Sequence, residues 1–171
     1  MKEIKIFVLI LLSTCLLVGC EKKEEIEIEG EKIDTKEMVH EHCSRTGTLE
    51  GGEAELNYDI YYTGEVLNIL RSEEKVKSST SSILDEYEEA YQSIHSHYKD
   101  LAYYDTEVVR EDDSVTSIIT INYDKVDIEE LIRIEGADDN IIENGVAKVQ
   151  MWKDLAKKVG ASCTKVVEDE V

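Results

Sequence analysis

Two hydrophobic periods alternate along this chain and divide it into strands and helices. In "EAELNYDIYY", Ala54, Leu56, Tyr58, Ile60 and Tyr62 alternate with Glu53, Glu55, Asn57, Asp59 and Tyr61. A period of two puts the first set on one face of a strand. Thr63-Gly64 offers a reversal, with Gly64 free to take positive φ, so Val66 to Val76 returns as a hairpin partner. The period then lengthens. Ile83, Tyr87, Ala90, Tyr91, Ile94, Tyr98 and Leu101 recur at helical spacing, and a serine or threonine in 78–82 is available to cap the first turn. A second hairpin pairs Tyr103 to Arg110 with Val115 to Tyr123 around the polar turn "EDDS". In its second strand Val115, Ser117, Ile119, Ile121 and Tyr123 face one way, and Thr116, Ile118, Thr120 and Asn122 the other. Asp127 with Glu130 reads as a capping box opening a short helix, Ile128 to Ile134, and "EGADDNIIENG" reads as loop. A last helix, Val146 to Val159, gathers Val149, Trp152, Leu155 and Ala156 on one face and stops at Gly160. "ASCTKVV" closes the chain's pattern as a short strand.

The predicted order is β-β-α-β-β-α-α-β. Hairpins imply antiparallel pairing, and amphipathic helices need a sheet face to cover. The expected fold is therefore α+β, a two-layer arrangement with an antiparallel sheet covered by helices.

The opening segment follows neither period. Lys2 and Lys5 precede an apolar run, Ile6 to Val18, broken only by Ser13, Thr14 and Cys15. That run is shorter than the roughly 20 apolar residues of a spanning helix and suits a secretory signal, residues 1–19. Leu17-Val18-Gly19-Cys20 matches the bacterial lipobox, which predicts lipidation of Cys20 and attachment to the outer side of the cell membrane. The alternative is an ordinary secretory signal with a cysteine at its end. Each buried methylene of an acyl chain contributes roughly 0.8 kcal/mol, so two chains anchor where one does not. "EKKEEIEIEGEKIDTKEM", residues 21–38, is densely charged and lacks aromatics, and reads as a tether holding the domain roughly 25 Å from the bilayer. Its alternation in "EEIEIEGEKI" allows a strand instead. The expected organisation is a signal over 1–19, a lipidated cysteine and tether over 20–42, and one domain over 43–171.

Charge narrows the partners. The formal net charge is −20, and loss of Lys2, Lys5 and Glu3 with the signal makes it one unit more negative. Such a surface repels nucleic acid and anionic headgroups and attracts cations only diffusely. The expected partners are the membrane, through lipid on Cys20, and a protein or small molecule, with no nucleic acid.

Candidate chemistry is sparse. His40-Glu41-His42-Cys43 resembles the start of a metal site, but in an extended segment His40 and His42 point to one side and Cys43 to the other. His95 and His97 stand two apart on the predicted helix and diverge by about 200°. Solvated histidines near the end of the tether are the reading adopted for His40 and His42, with no metal and no cofactor. An EF-hand alignment with Gly145 as its glycine puts Ile142 third and Met151 twelfth, which fails. No Gly-x-Ser-x-Gly elbow or phosphate-binding glycine loop occurs, so no catalytic residue is assigned. The tyrosines fall on strand and helix faces as core packing, the alternative being an exposed row on the sheet that binds a glycan or peptide. Of four cysteines, Cys15 leaves with the signal and Cys20 takes lipid, so Cys43 and Cys163 remain. Outside the cytoplasm they are expected to form a disulfide tying the segment just before the first strand to the last strand, the alternative being two buried thiols.

The anchor "LLVGC", the hairpin "YYTGEVLNILRSEEKV", the helix "LDEYEEAYQSIHSHY", the segment "VTSIITINYDKVDIEEL" and the ending "WKDLAKKVGASCTKV" together resemble the YehR-like bacterial lipoproteins. The likeness spans about residues 43–166. It implies an α+β domain on a lipid anchor and implies no activity. The expectation is a non-enzymatic binding or interaction module, or else a lipoprotein that captures a cation or small molecule for a membrane partner.

Overall fold

The computed structural model describes residues 26–136 and 141–167. The signal, Cys20 and residues 21–25 lie outside the described residues. In chain order the elements are β1 (Glu27–Ile28), β2 (Glu31–Lys32), β3 (Val39–Leu49), β4 (Gly52–Thr63), β5 (Val66–Lys77), α1 (Ser81–His95), β6 (Tyr104–Arg110), β7 (Ser114–Asn122), α2 (Ile128–Glu135), β8 (Ile142–Glu143), β9 (Val146–Ala147), α3 (Val149–Lys158) and β10 (Ser162–Lys165). The main sheet has six strands in the order β10-β3-β4-β5-β7-β6, each pair antiparallel. The α+β architecture with helices on an antiparallel sheet is as the periodicity predicts.

The three long strands form a meander. Glu50-Gly51 turns β3 into β4, and a Cβ on Gly51, at φ +81°, would stand 2.3 Å from Ile83 Cδ1. The positive φ favours glycine there, and a larger residue would also displace the end of the Ile83 side chain. Gly64, at φ +61°, makes the second reversal at the predicted place. A bulge interrupts the β4–β5 register at Tyr61/Tyr62, so Tyr61 faces Ile69 and Tyr62 faces Leu67, with Asn68 as the extra residue. The bulge puts Leu67 in one cluster with Leu70, while Ile69 between them faces the other.

The helices share one side of the sheet. α1 covers Ala54, Val76 and Val115 with Leu84 and Tyr91, while α2 and α3 cover Ile60, Tyr62, Leu67, Leu70 and Ile121 with Leu131, Val149, Trp152 and Ala156. Asp127 caps α2 by accepting the amides of Glu129 and Glu130, both at 3.1 Å, but Glu130 turns to Arg133 rather than completing the box. The predicted cap of α1 differs as well: Thr80 occupies the position and its side chain makes no capping bond.

Three expectations need correction. The stretch read as a tether is folded from Ile26 onward. β1 and β2 form a hairpin whose Ile26 and Ile28 are buried with Ile69, on the sheet side opposite the helices. Residues 39–42 belong to β3, so the domain begins well before residue 43. Isolated isoleucines in a charged stretch suffice because the sheet supplies the rest of the apolar surface. Second, α1 stops at His95, six residues short of Leu101, where the predicted stripe ends. Ile94 is exposed, while Leu84, Tyr91 and His95 form the buried line. Third, Val146 and Ala147 are not helical but pair with Ile142 and Glu143 across Asn144-Gly145, both at positive φ. Asn-Gly is the strongest short hairpin signal, here inside a segment read as loop. Residues 137–140 of that segment lie outside the described residues.

Candidate functional site

β3 distributes "HEHC" to both faces of the sheet. Pairing with β4 sets His40 against Tyr61, Glu41 against Ile60, His42 against Asp59 and Cys43 against Tyr58. Glu41 and Cys43 therefore point to the helical side, and His40 and His42 away from it.

On the helical side Cys43 lies directly opposite Cys163 of β10 and is joined to it by a disulfide, as expected. Cys43 is fully buried. Two residues earlier, the Glu41 Oε1 atom accepts hydrogen bonds from Tyr62 Oη at 2.6 Å and Lys153 Nζ at 2.8 Å. The Lys153 ammonium also lies 4.5 Å over the Tyr62 ring. Burial by itself raises the Glu41 pKa, but the bonds from Lys153 and Tyr62 outweigh it and hold the carboxyl below its usual range. Burial and the Glu41 bond raise the Tyr62 phenol. Charge and hydrogen bonding are satisfied within the group, which fastens α3 to β3.

The other side is differently built. His40 Nε2 donates to Asp59 Oδ1 at 2.8 Å, and His42 Nδ1 donates to the same oxygen at 3.0 Å. When both rings are neutral, donating to Asp59 makes them opposite tautomers and leaves His42 Nε2 and His40 Nδ1 as acceptors. His40 stacks on Tyr61 with centroids 4.2 Å apart and planes 11° from parallel. The side chains of His40, His42 and Asp59 keep 19%, 38% and 23% of their exposure. Arg71 sits opposite Asp59 in register but pairs with Glu73 at 3.2 Å. Among the described residues no group of three or more His, Cys, Asp and Glu side chains is arranged to hold a metal ion. The trio presents hydrogen-bond donors, acceptors and a stacked ring to whatever approaches.

Toward the far end of the same face lies a depression of about 390 Å³, lined in part by Thr46, Thr48, Glu53, Glu55, Lys75 and Lys77. Its lysines are paired: Lys77 reaches Glu55 at 3.5 Å and Lys75 reaches Glu111 at 3.0 Å. The remaining histidines stay apart. His95 is buried at the end of α1, where its Nε2 lies 2.9 Å from Ser117 Oγ, and burial pushes its pKa down. His97 is exposed in the turn that follows. The solvated-histidine expectation for His40 and His42 is met in part: both keep some exposure, but both are bonded to Asp59. The tyrosines pack as expected, and the alternative of an exposed row is not what the structure shows. None of the nine is exposed: Tyr58 packs edge-on to Trp152, Tyr98 stacks on Tyr104, and Tyr61 and Tyr103 pack beneath the β1–β2 hairpin.

Asp59 escaped sequence reasoning although its face was assigned correctly. Its role depends on β3 being a strand in a definite register, and β3 mixes histidine, glutamate, arginine and glycine without clear alternation. The recoverable signal was the histidine pair itself, whose i,i+2 spacing is that of one strand face.

No family model matches the chain, and no curated protein sequence matches it. Two solved structures resemble it. The NMR structure of the Escherichia coli YehR protein superposes with a TM-score of 0.55 at 19% identity, over 80% of this chain and 97% of that one. An NMR structure of a protein from Streptococcus pneumoniae TIGR4 gives a TM-score of 0.47 at 15% identity, over 78% of this chain and 89% of that one. The first comparison shows a YehR-like fold. Neither structure is described with an activity.

Proposed function

We propose that this protein is a lipid-anchored extracytoplasmic module that binds a partner and catalyses no reaction. The observation that carries the reading is the asymmetry of the sheet. All three helices cover one face, and the other, beyond the β1–β2 hairpin, stays polar and open with His40, Asp59 and His42 at its edge. A sheet face that exposes partly desolvated donors and acceptors, with no nucleophile and base arranged together, suits recognition better than chemistry. The lipobox sequence at Leu17 to Cys20 supports the anchor, and among the described residues no helix is long and apolar enough to cross a membrane.

A second reading is supported by the depression beside Lys75 and Lys77: capture of a small molecule or cation for a membrane partner. Intact mass spectrometry of the protein from its own host tests both. A chain beginning at Cys20 and carrying a diacylglycerol is the expected result, and an unmodified Cys20 would sink the anchor. A stoichiometric small molecule or metal retained under native conditions would favour capture over a pure interaction module.

A further inference from the structure

The folded part of the chain begins so early that an anchor at Cys20 fixes which side of the domain meets the membrane. Ile26 and Ile28 are buried with Ile69, and Ile33, Met38, Tyr61 and Tyr103 pack around them. Only residues 21–25 separate that hairpin from Cys20. Whatever its conformation, that link reaches roughly 20 Å at most, at about 3.3–3.6 Å per residue. A folded domain of this size has a radius of gyration of about 14 Å. The link is too short to carry the anchor around to the helical side, so the hairpin side lies against the bilayer and α1 to α3 face away. Tyr61 touches the hairpin cluster and stacks on His40, so the His40–Asp59–His42 group adjoins the membrane-proximal surface.

Charge then selects what that surface meets. Residues 26–38 carry five carboxylates against two lysines, and on the same side of the sheet the six carboxylates of β4, β5 and β6 outnumber Arg71, Lys75 and Lys77. Anionic headgroups are repelled by this surface, whereas a basic polypeptide is attracted to it. We propose that the His40–Asp59–His42 side of the sheet is a contact surface for a basic extracytoplasmic segment of a protein embedded in the same membrane. The proposal rests on the anchored reading above and adds the orientation and the partner class. Confinement to one bilayer makes the encounter effectively intramolecular, so a modest interaction suffices.

The test uses the full acylated chain in its host membrane, with a photo-crosslinking residue at Thr164, beside His42 on the same face, or at Glu89, on the outward side of α1. Adducts to an integral membrane protein are expected from Thr164 and not from Glu89. Raising the salt concentration should reduce them, as should replacing His40 and His42 together by alanine in a chain whose circular dichroism is unchanged. A 25-residue Gly/Ser insertion between Glu25 and Ile26 should lower the Thr164 yield about tenfold through dilution of effective concentration. No adduct from Thr164, equal yields from both positions, or a yield indifferent to the insertion would overturn the proposal. Absence of acyl chains on Cys20 would take down the anchored reading with it, and intact mass of the same samples distinguishes the two failures.

Discussion

One strand of this protein carries two polar groups on opposite faces, and they have been treated in opposite ways. Facing the helices, Glu41 is 8% exposed and spends its carboxylate on Lys153 and Tyr62, beside a disulfide. Facing outward, His40 and His42 share a single oxygen of Asp59 and keep access to water. The first group joins α3, β3 and β4 across more than 110 residues of sequence; the second joins only neighbouring strands already held by backbone bonds. Polar residues that close a long loop between packed layers stabilise. Those that bridge adjacent strands on an open face are free to serve recognition.

If this division is right, damage on the helical side should be far more costly to stability than damage on the open side. The largest effect is expected from breaking Cys43–Cys163. The bond closes a loop of 120 residues, worth about 4–5 kcal/mol in the chain-entropy model. Urea denaturation with and without reductant, and of the double serine variant, should show a loss of that order. Next is Glu41→Ala, which strands the half-buried Lys153 ammonium and should cost about 2–3 kcal/mol. The sign of its pH dependence follows from the lowered carboxyl pKa. The Glu41 contribution is complete above about 4.5 and disappears as pH falls through the lower folded value, so Glu41→Ala and the parent should converge in acid.

A smaller effect concerns His95. The unfolded chain takes a proton there at a pH where the folded protein refuses it, because burial lowers the folded pKa. Stability should decline as pH drops below about 6.5 and level off past the folded value. His95→Gln should flatten that slope, as read from denaturation midpoints between pH 5 and 8; an unchanged slope would show that His95 is not the group responsible. The smallest effect is expected on the open face, where Asp59→Asn should change stability by no more than about 1 kcal/mol. A loss comparable to that of Glu41→Ala would erase the contrast between the two groups.

How far the sequence revealed this arrangement depends on where the decisive information lies. The β4 alternation, the Gly64 reversal, the β7 faces and the Asp127 cap are local patterns with local physical causes, and each appears where it is expected. The cysteine pairing came from elimination and compartment, and it too stands. What escaped is non-local. Ile26 and Ile28 look isolated along the chain and acquire neighbours only through Ile69, which the β5 register places on their side of the sheet. Asp59 was one carboxylate among thirty-nine acidic residues until register placed it opposite His42. His95 stood outside the apolar stripe, which took Ile94 in its place because the helix was extended past its true end. Asn144-Gly145 is the exception, a local signal hidden by acidic neighbours that suggested irregular loop.

The disulfide has a mechanical consequence. A pull applied between the segment before β3 and the segment after β10 enters β3 and leaves through β10, and Cys43 and Cys163 stand directly opposite each other between them. Tension is shunted across one covalent bond, and the 120 residues in between, about 400 Å of extended chain, bear none of it. Under load only the hairpin and the strand ends are free to pay out. In a single-molecule stretching experiment the oxidised protein should yield a short extension, and the reduced protein a second, much longer one.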